Sequence, residues 1–145
     1  MMNRLIRLLT LGLLMTVTGG CNDSDDDSNQ IPFVIVDEII NLNNFEFLPL
    51  KTLGGFVTIN AGVRGIIIYR ESNSVYRAFE RNCSYQPRNS CADVEVDQSG
   101  LFLVDPCCTS RFNFEGFPIK GPATRPLLEY QSSLSGNTLR IGNGL

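Results

Sequence analysis

Four cysteines fall in two short stretches, Cys83 with Cys91 and the adjacent pair Cys107-Cys108, and a fifth stands apart at Cys21. Thiols grouped this way can hold a metal or a cluster, pass electrons as a dithiol, or close as disulfides. The chain contains no histidine. That zero removes Ser-His-Asp and Cys-His triads, imidazole general bases and every metal site that needs an imidazole. Neither the seven-residue gap between Cys83 and Cys91 nor the Cys107-Cys108 doublet resembles a metal knuckle, and no Cys-x-x-Cys dithiol is present. An even number of cysteines in a modest exported domain reads as two structural disulfides. Four cysteines permit three connectivities, and a bridge between the neighbours Cys107 and Cys108 is disfavoured by strain in the peptide joining them.

The expectation of export comes from the amino terminus. Arg4 and Arg7 precede the apolar run Leu8 to Met15, and the small residues Thr18-Gly19-Gly20 come just before Cys21. This is the layout of a secretory signal over residues 1–20. A cysteine directly after small residues resembles the lipobox of bacterial lipoproteins, which makes Cys21 the expected lipidation site. The apolar run is too short to span a bilayer comfortably. Residues 21–30 are rich in Asp, Asn and Ser, cannot bury apolar surface, and read as an acidic solvated tether. Such a run after the cysteine also resembles the surface-export signals of some Gram-negative lipoproteins.

The net charge is −3, and it becomes −5 once residues 1–20 and their two arginines are removed. An acidic domain offers no electrostatic footprint for nucleic acid. Residues 31–145 are enough for one domain with its own core. Thirteen glycines and seven prolines suit short strands and turns. Ile31–Val36 reads as a first or edge strand, with 37–42 following and 45–48 either strand or irregular. Phe56–Asn60, Ile66–Tyr69 and Val75–Glu80 read as further strands, the isoleucine run as a buried one. Asn82 to Cys91 is a loop. Ala92–Val96 and Leu101–Val104 are strands, and Leu127–Gln131 pairs with Thr138–Ile141 across residues 132–137. Ten or so short strands imply an antiparallel sandwich or barrel.

The most specific pattern lies between Val104 and Tyr130. Asp105-Pro106-Cys107-Cys108-Thr109-Ser110-Arg111-Phe112 is followed by a glycine turn and then by Gly121-Pro122-Ala123-Thr124-Arg125-Pro126-Leu127. These segments resemble the second cluster-binding loop and the proline loop of Rieske iron–sulfur domains, in which Cys-Pro-Cys-His-Gly-Ser-x-Phe precedes Gly-Pro-Ala-x-x-Pro-Leu. The resemblance extends over roughly Gly55 to Ile141. It implies an all-β fold, an antiparallel Rieske-like sandwich or barrel of short strands with two cysteine-bearing loops. A Rieske cluster takes two thiolates on one iron and two imidazoles on the other. Cys83 keeps its ligand position here, Tyr85 and Cys108 stand at the two histidine positions, and Asp105 stands at the remaining cysteine position. Sliding the second loop by two residues pairs Cys107 with Ser110 and still supplies no imidazole.

The resemblance also suggests a pairing, Cys83 with Cys108 across the vacated cluster position and Cys91 with Cys107, with the reverse pairing left open. Each bridge closes a loop of about 15–25 residues and contributes roughly 3 kcal/mol through loop-closure entropy. No Arg-Arg pair precedes the apolar run, so export is expected to thread an unfolded chain, and a cluster built beforehand could not travel with it. Other residues have plainer readings. Gly116, Gly121 and Pro122 serve turn geometry, Tyr85 fills space, and Arg111 and Arg125 pair with Glu115 or Glu129 at the surface. Asp93, Glu95 and Asp97 form a solvated face and have no calcium-loop spacing. The expectation is a non-enzymatic, cofactor-free accessory domain, lipid-anchored to the outer membrane, with surface display a further option and an unknown envelope protein as partner. The rival is an electron-transfer protein holding an atypical [2Fe–2S] cluster.

Overall fold

Ile66-Ile67-Ile68 shows how the fold is organised. All three are buried, but Ile66 and Ile68 join one apolar cluster while Ile67 joins another. Successive strand residues point to opposite faces, so an uninterrupted apolar run marks a strand covered on both sides. The same holds next door, where Tyr76 and Ala78 face the first cluster and Phe79 the second.

The structure, a computed structural model, describes residues 30–144. The expected signal, the Cys21 lipidation site and all of the tether before Gln30 lie outside the described residues. The described residues form ten strands: β1 (Asp37–Asn41), β2 (Phe56–Ile59), β3 (Ile66–Arg70), β4 (Tyr76–Glu80), β5 (Glu95–Val96), β6 (Leu103–Val104), β7 (Arg111–Phe112), β8 (Pro118–Lys120), β9 (Glu129–Ser135) and β10 (Thr138–Gly142). They form a six-stranded sheet, β1-β10-β9-β4-β3-β2, and a four-stranded sheet, β5-β6-β7-β8. The large sheet curls as an antiparallel half-barrel. Phe79 and Ile67, on the face opposite Ile66 and Ala78, pack against Val94, Leu103 and Phe112 of the small-sheet region. The all-β antiparallel expectation therefore holds.

Three local expectations are corrected. Ile31–Val36 runs without a ladder partner and is not a strand. Pro32 has no N–H to offer, Phe33 and Ile35 are 79% and 86% exposed, and the segment is held instead by Val34 packing on the first cluster and by Val36 bonding to Asn143. Phe45–Lys51 is a 3₁₀ helix, anchored by buried Leu50, whose carbonyl accepts from the Tyr76 hydroxyl at 3.3 Å. The strand starting near Leu127 runs on to Ser135 and turns at Gly136, whose φ of 59° suits a tight hairpin.

A buried carboxylate locks the large sheet to the loop ahead of β3. Glu80 is fully buried. Its Oε2 accepts from Val63 N and the Tyr130 hydroxyl, both at 2.7 Å, and its Oε1 accepts from Arg64 N at 2.9 Å and Asn82 N at 3.0 Å. Four donors to one carboxylate satisfy it without a cationic partner. Gly62 lets the loop approach this closely: a Cβ there would stand 2.3 Å from Oε2, and its φ is +72°.

Candidate functional site

Three loops meet at the outer end of the small sheet. The first leaves β4 and carries Cys83 and Cys91. Its base is held by Cys83 N donating to Ala92 O at 2.9 Å and by a bridge between Asn82 and Asp93. The second is the six-residue turn between β6 and β7. There Asp105 N donates to Ser110 O at 2.9 Å and Thr109 N to Asp105 O at 2.8 Å, with Thr109 in the left-handed region at φ 62°. The third, the proline loop, lies over both. Ala123 N donates to Ser110 Oγ at 3.0 Å, while Arg125 and Ser84 exchange bonds of 2.9 and 2.7 Å.

Asp105 organises the second loop. It is fully buried. Its Oδ1 accepts from Cys107 N at 2.7 Å and Cys108 N at 3.4 Å, the side-chain turn an Asp before Pro is suited to make. Its Oδ2 is left facing sulfur, 3.0 Å from Cys108 Sγ, which also lies 3.0 Å from Ser110 Oγ.

The cysteines divide into two unlike pairs. Cys91 and Cys107, both exposed, are joined by a disulfide with Cα atoms 5.7 Å apart, which fastens the first loop to the second. Cys83, fully buried, and Cys108, half-buried, are free thiols with sulfurs 3.9 Å apart. The structure thus brings the expected pair Cys83 and Cys108 side by side, but as neighbours and not as a bridge. Burial pushes the Cys83 thiol up. The bond to Asp105 and the charges of Asp105 and Cys108 add to that rise, and a backbone bond from Tyr85 opposes it.

A cleft of about 280 Å³ opens onto this group, lined among others by Tyr85, Gln86, Asp105, Cys107, Cys108 and Pro122. All four degenerate cluster positions, Cys83, Tyr85, Asp105 and Cys108, therefore converge. The donors present do not fit a Rieske cluster. Its second iron needs two imidazoles, the chain has none, and the Cys107 sulfur is engaged with Cys91.

The remaining candidates disperse. Arg111 lies over the Phe102 ring at 4.5 Å, Arg125 clasps Ser84, and Glu129 pairs with Arg77 at 3.2 Å. Asp93 pairs with Arg64 at 3.2 Å, and Asp97 accepts from the hydroxyl and then the N–H of Ser99, bonds that hold the Asp97 carboxyl low. The part of the site that sequence reasoning missed is the second role of Asp105. A residue read as a lost ligand is the one that shapes the loop, and only the Asp-Pro dipeptide hinted at it.

Comparison with solved structures finds the cyanobacterial plasma membrane Rieske protein PetC3 from Synechocystis PCC 6803. The identity is 26%, the alignment covers 70% of this chain and 97% of that protein, and the TM-score is 0.53. No protein-family model matches the chain. Nor does comparison with curated proteins yield a match.

Proposed function

We propose that this Rieske-type domain is an exported, lipid-anchored accessory protein of the cell envelope that binds or braces a partner there and carries no Rieske cluster. The carrying observation is the donor set at the loop junction. Two thiols and one carboxylate converge where the fold would hold iron, and imidazole is absent from the whole chain. A fold does not confer its relatives' chemistry when the residues for that chemistry are gone. The chain has no histidine to serve as an imidazole base, which supports a binding role over catalysis. The Cys91–Cys107 bridge fastens the two loops together, a task that a cluster held by both loops would otherwise perform.

The anchoring part rests on Arg4, Arg7, the apolar run and Cys21. Among the described residues no helix is long and apolar enough to cross a membrane. A lipid on Cys21 with the tether behind it would hold the domain at the outer membrane.

Two measurements on the full chain from its native host test this reading. Iron and acid-labile sulfide are expected below one equivalent per ten chains, with no visible absorption. A coloured preparation holding two irons and two sulfides per chain would instead establish the electron-transfer alternative. Labelled palmitate is expected in the wild-type protein and not in Cys21→Ser, which should shift from the membrane to the soluble fraction. A Cys21→Ser protein that stays in the membrane would end the lipoprotein reading.

A further inference from the structure

We propose that Cys83, Cys108 and Asp105 form a site for a single thiophilic divalent cation of the Zn²⁺ class, its fourth position open to the cleft. The three donor atoms lie within 4.8 Å of one another. Two Zn–S bonds of about 2.3 Å at the tetrahedral angle place their sulfurs roughly 3.8 Å apart, and Cys83 Sγ and Cys108 Sγ stand 3.9 Å apart. The carboxylate oxygen is closer than a metal would leave it, 3.0 Å from Cys108 Sγ. Two bonds of about 2.3 and 2.1 Å call for roughly 3.6 Å, a difference that a small side-chain rotation of half-buried Cys108 supplies.

A second feature, independent of the spacing, is the way Asp105 is held. Its Oδ1 is occupied by the backbone N–H groups of Cys107 and Cys108, which fixes the side chain and turns Oδ2 to the sulfurs. This is the outer-shell support that orients a ligating carboxylate. The Cys91–Cys107 bridge meanwhile fixes the loop bearing Cys83 against the loop bearing Cys108. Such a site needs little rearrangement to accept its ion.

Donor chemistry selects the cation. Calcium and magnesium take oxygen ligands and are poorly served by two sulfurs. Two thiolates with a carboxylate suit Zn²⁺, and Cu(I) gains nothing from the oxygen. On binding, each thiol gives up its proton to solvent. Two thiolates and one carboxylate then surround a 2+ ion, leaving one negative charge at the site.

The test is a Co²⁺ titration of the full chain in oxygen-free buffer, with the Cys91–Cys107 bridge verified by mass beforehand. One equivalent is expected to bind, giving thiolate-to-cobalt charge transfer in the near ultraviolet and the strong visible bands of a tetrahedral centre. Zn²⁺ should bleach both, and Cys21→Ser should leave them unchanged. Cys83→Ser and Cys108→Ser should each remove about half of the charge-transfer intensity. Asp105→Asn, which keeps Oδ1 for the backbone bonds, should weaken binding by about tenfold or more. Circular dichroism of each variant establishes that it is folded, and Cys108→Ser, at a half-buried position, is the least disruptive. Three results would overturn the proposal: no spectral change while both thiols are shown to be free by thiol labelling after unfolding, an unchanged spectrum in the folded Cys108→Ser protein, or a Cys83–Cys108 disulfide in chain isolated from the native host. None of these touches the cluster-free reading, which falls only if iron and inorganic sulfide are found.

Discussion

Glu80 shows how one side chain can carry a sheet junction. Its carboxylate accepts three backbone N–H groups and the Tyr130 hydroxyl in a fully buried setting. Glu80→Leu strands those donors, and unfolding in denaturant should show a loss of about 3 kcal/mol or more. Tyr130→Phe removes one bond to a charged acceptor and should cost about 2 kcal/mol. The pH response follows from the same pair. Burial first, and then the bond to and charge of Glu80, hold the Tyr130 phenol above its ordinary 10.0. The neutral phenol is favoured in the folded chain, so this contribution is complete below pH 10 and is lost as the pH rises above it. Denaturation midpoints taken across that range should fall more steeply in the wild type than in Tyr130→Phe. None of this was legible in the sequence. Glu80 reads as the last residue of a strand, and its hydroxyl partner lies 50 positions away, with no local pattern to join them.

At the level of elements, strand periodicity was readable wherever a strand was long enough to show it. The run Ile66–Ile68 announced a strand covered on both faces, and it is one. β7 has two residues and β8 three, too few for any alternation, so the small sheet could not be read beyond Leu103–Val104. The apolar stretch before Asp37 misled for the opposite reason: Phe33 and Ile35 have strand-forming side chains but nothing to pack against. Two substitutions test the turns that do hold. Thr109 sits at φ 62°, so Thr109→Gly should stabilise the chain by up to about 1 kcal/mol, read as a higher melting temperature. Gly116 has φ +83°, and a Cβ there would stand 2.7 Å from the Phe79 ring. Gly116→Ala should cost about 2 kcal/mol, measured in the same way.

For the whole molecule, the cysteine-bearing loops were identifiable from Asp105-Pro106-Cys107-Cys108 and the proline segment, because those residues set loop shape locally. What the four cysteines do was less legible, since pairing depends on which sulfurs a folded chain brings within reach. Among the described residues, Cys91 and Cys107 alone are bonded. The bridge spans 16 positions, and Cys91→Ser with Cys107→Ser should lower unfolding free energy by about 3 kcal/mol. Adding reductant to the wild type should reproduce that loss and leave the double variant unaffected. The four sulfurs are also unequally accessible, two exposed, one half-buried and one sealed in the core. Oxidant meeting an already collapsed chain therefore encounters one reachable couple and yields a single isomer. Oxidant meeting a random coil has no such guidance and gives a scrambled mixture, separable by peptide mapping. The order of these two events decides whether the product is uniform.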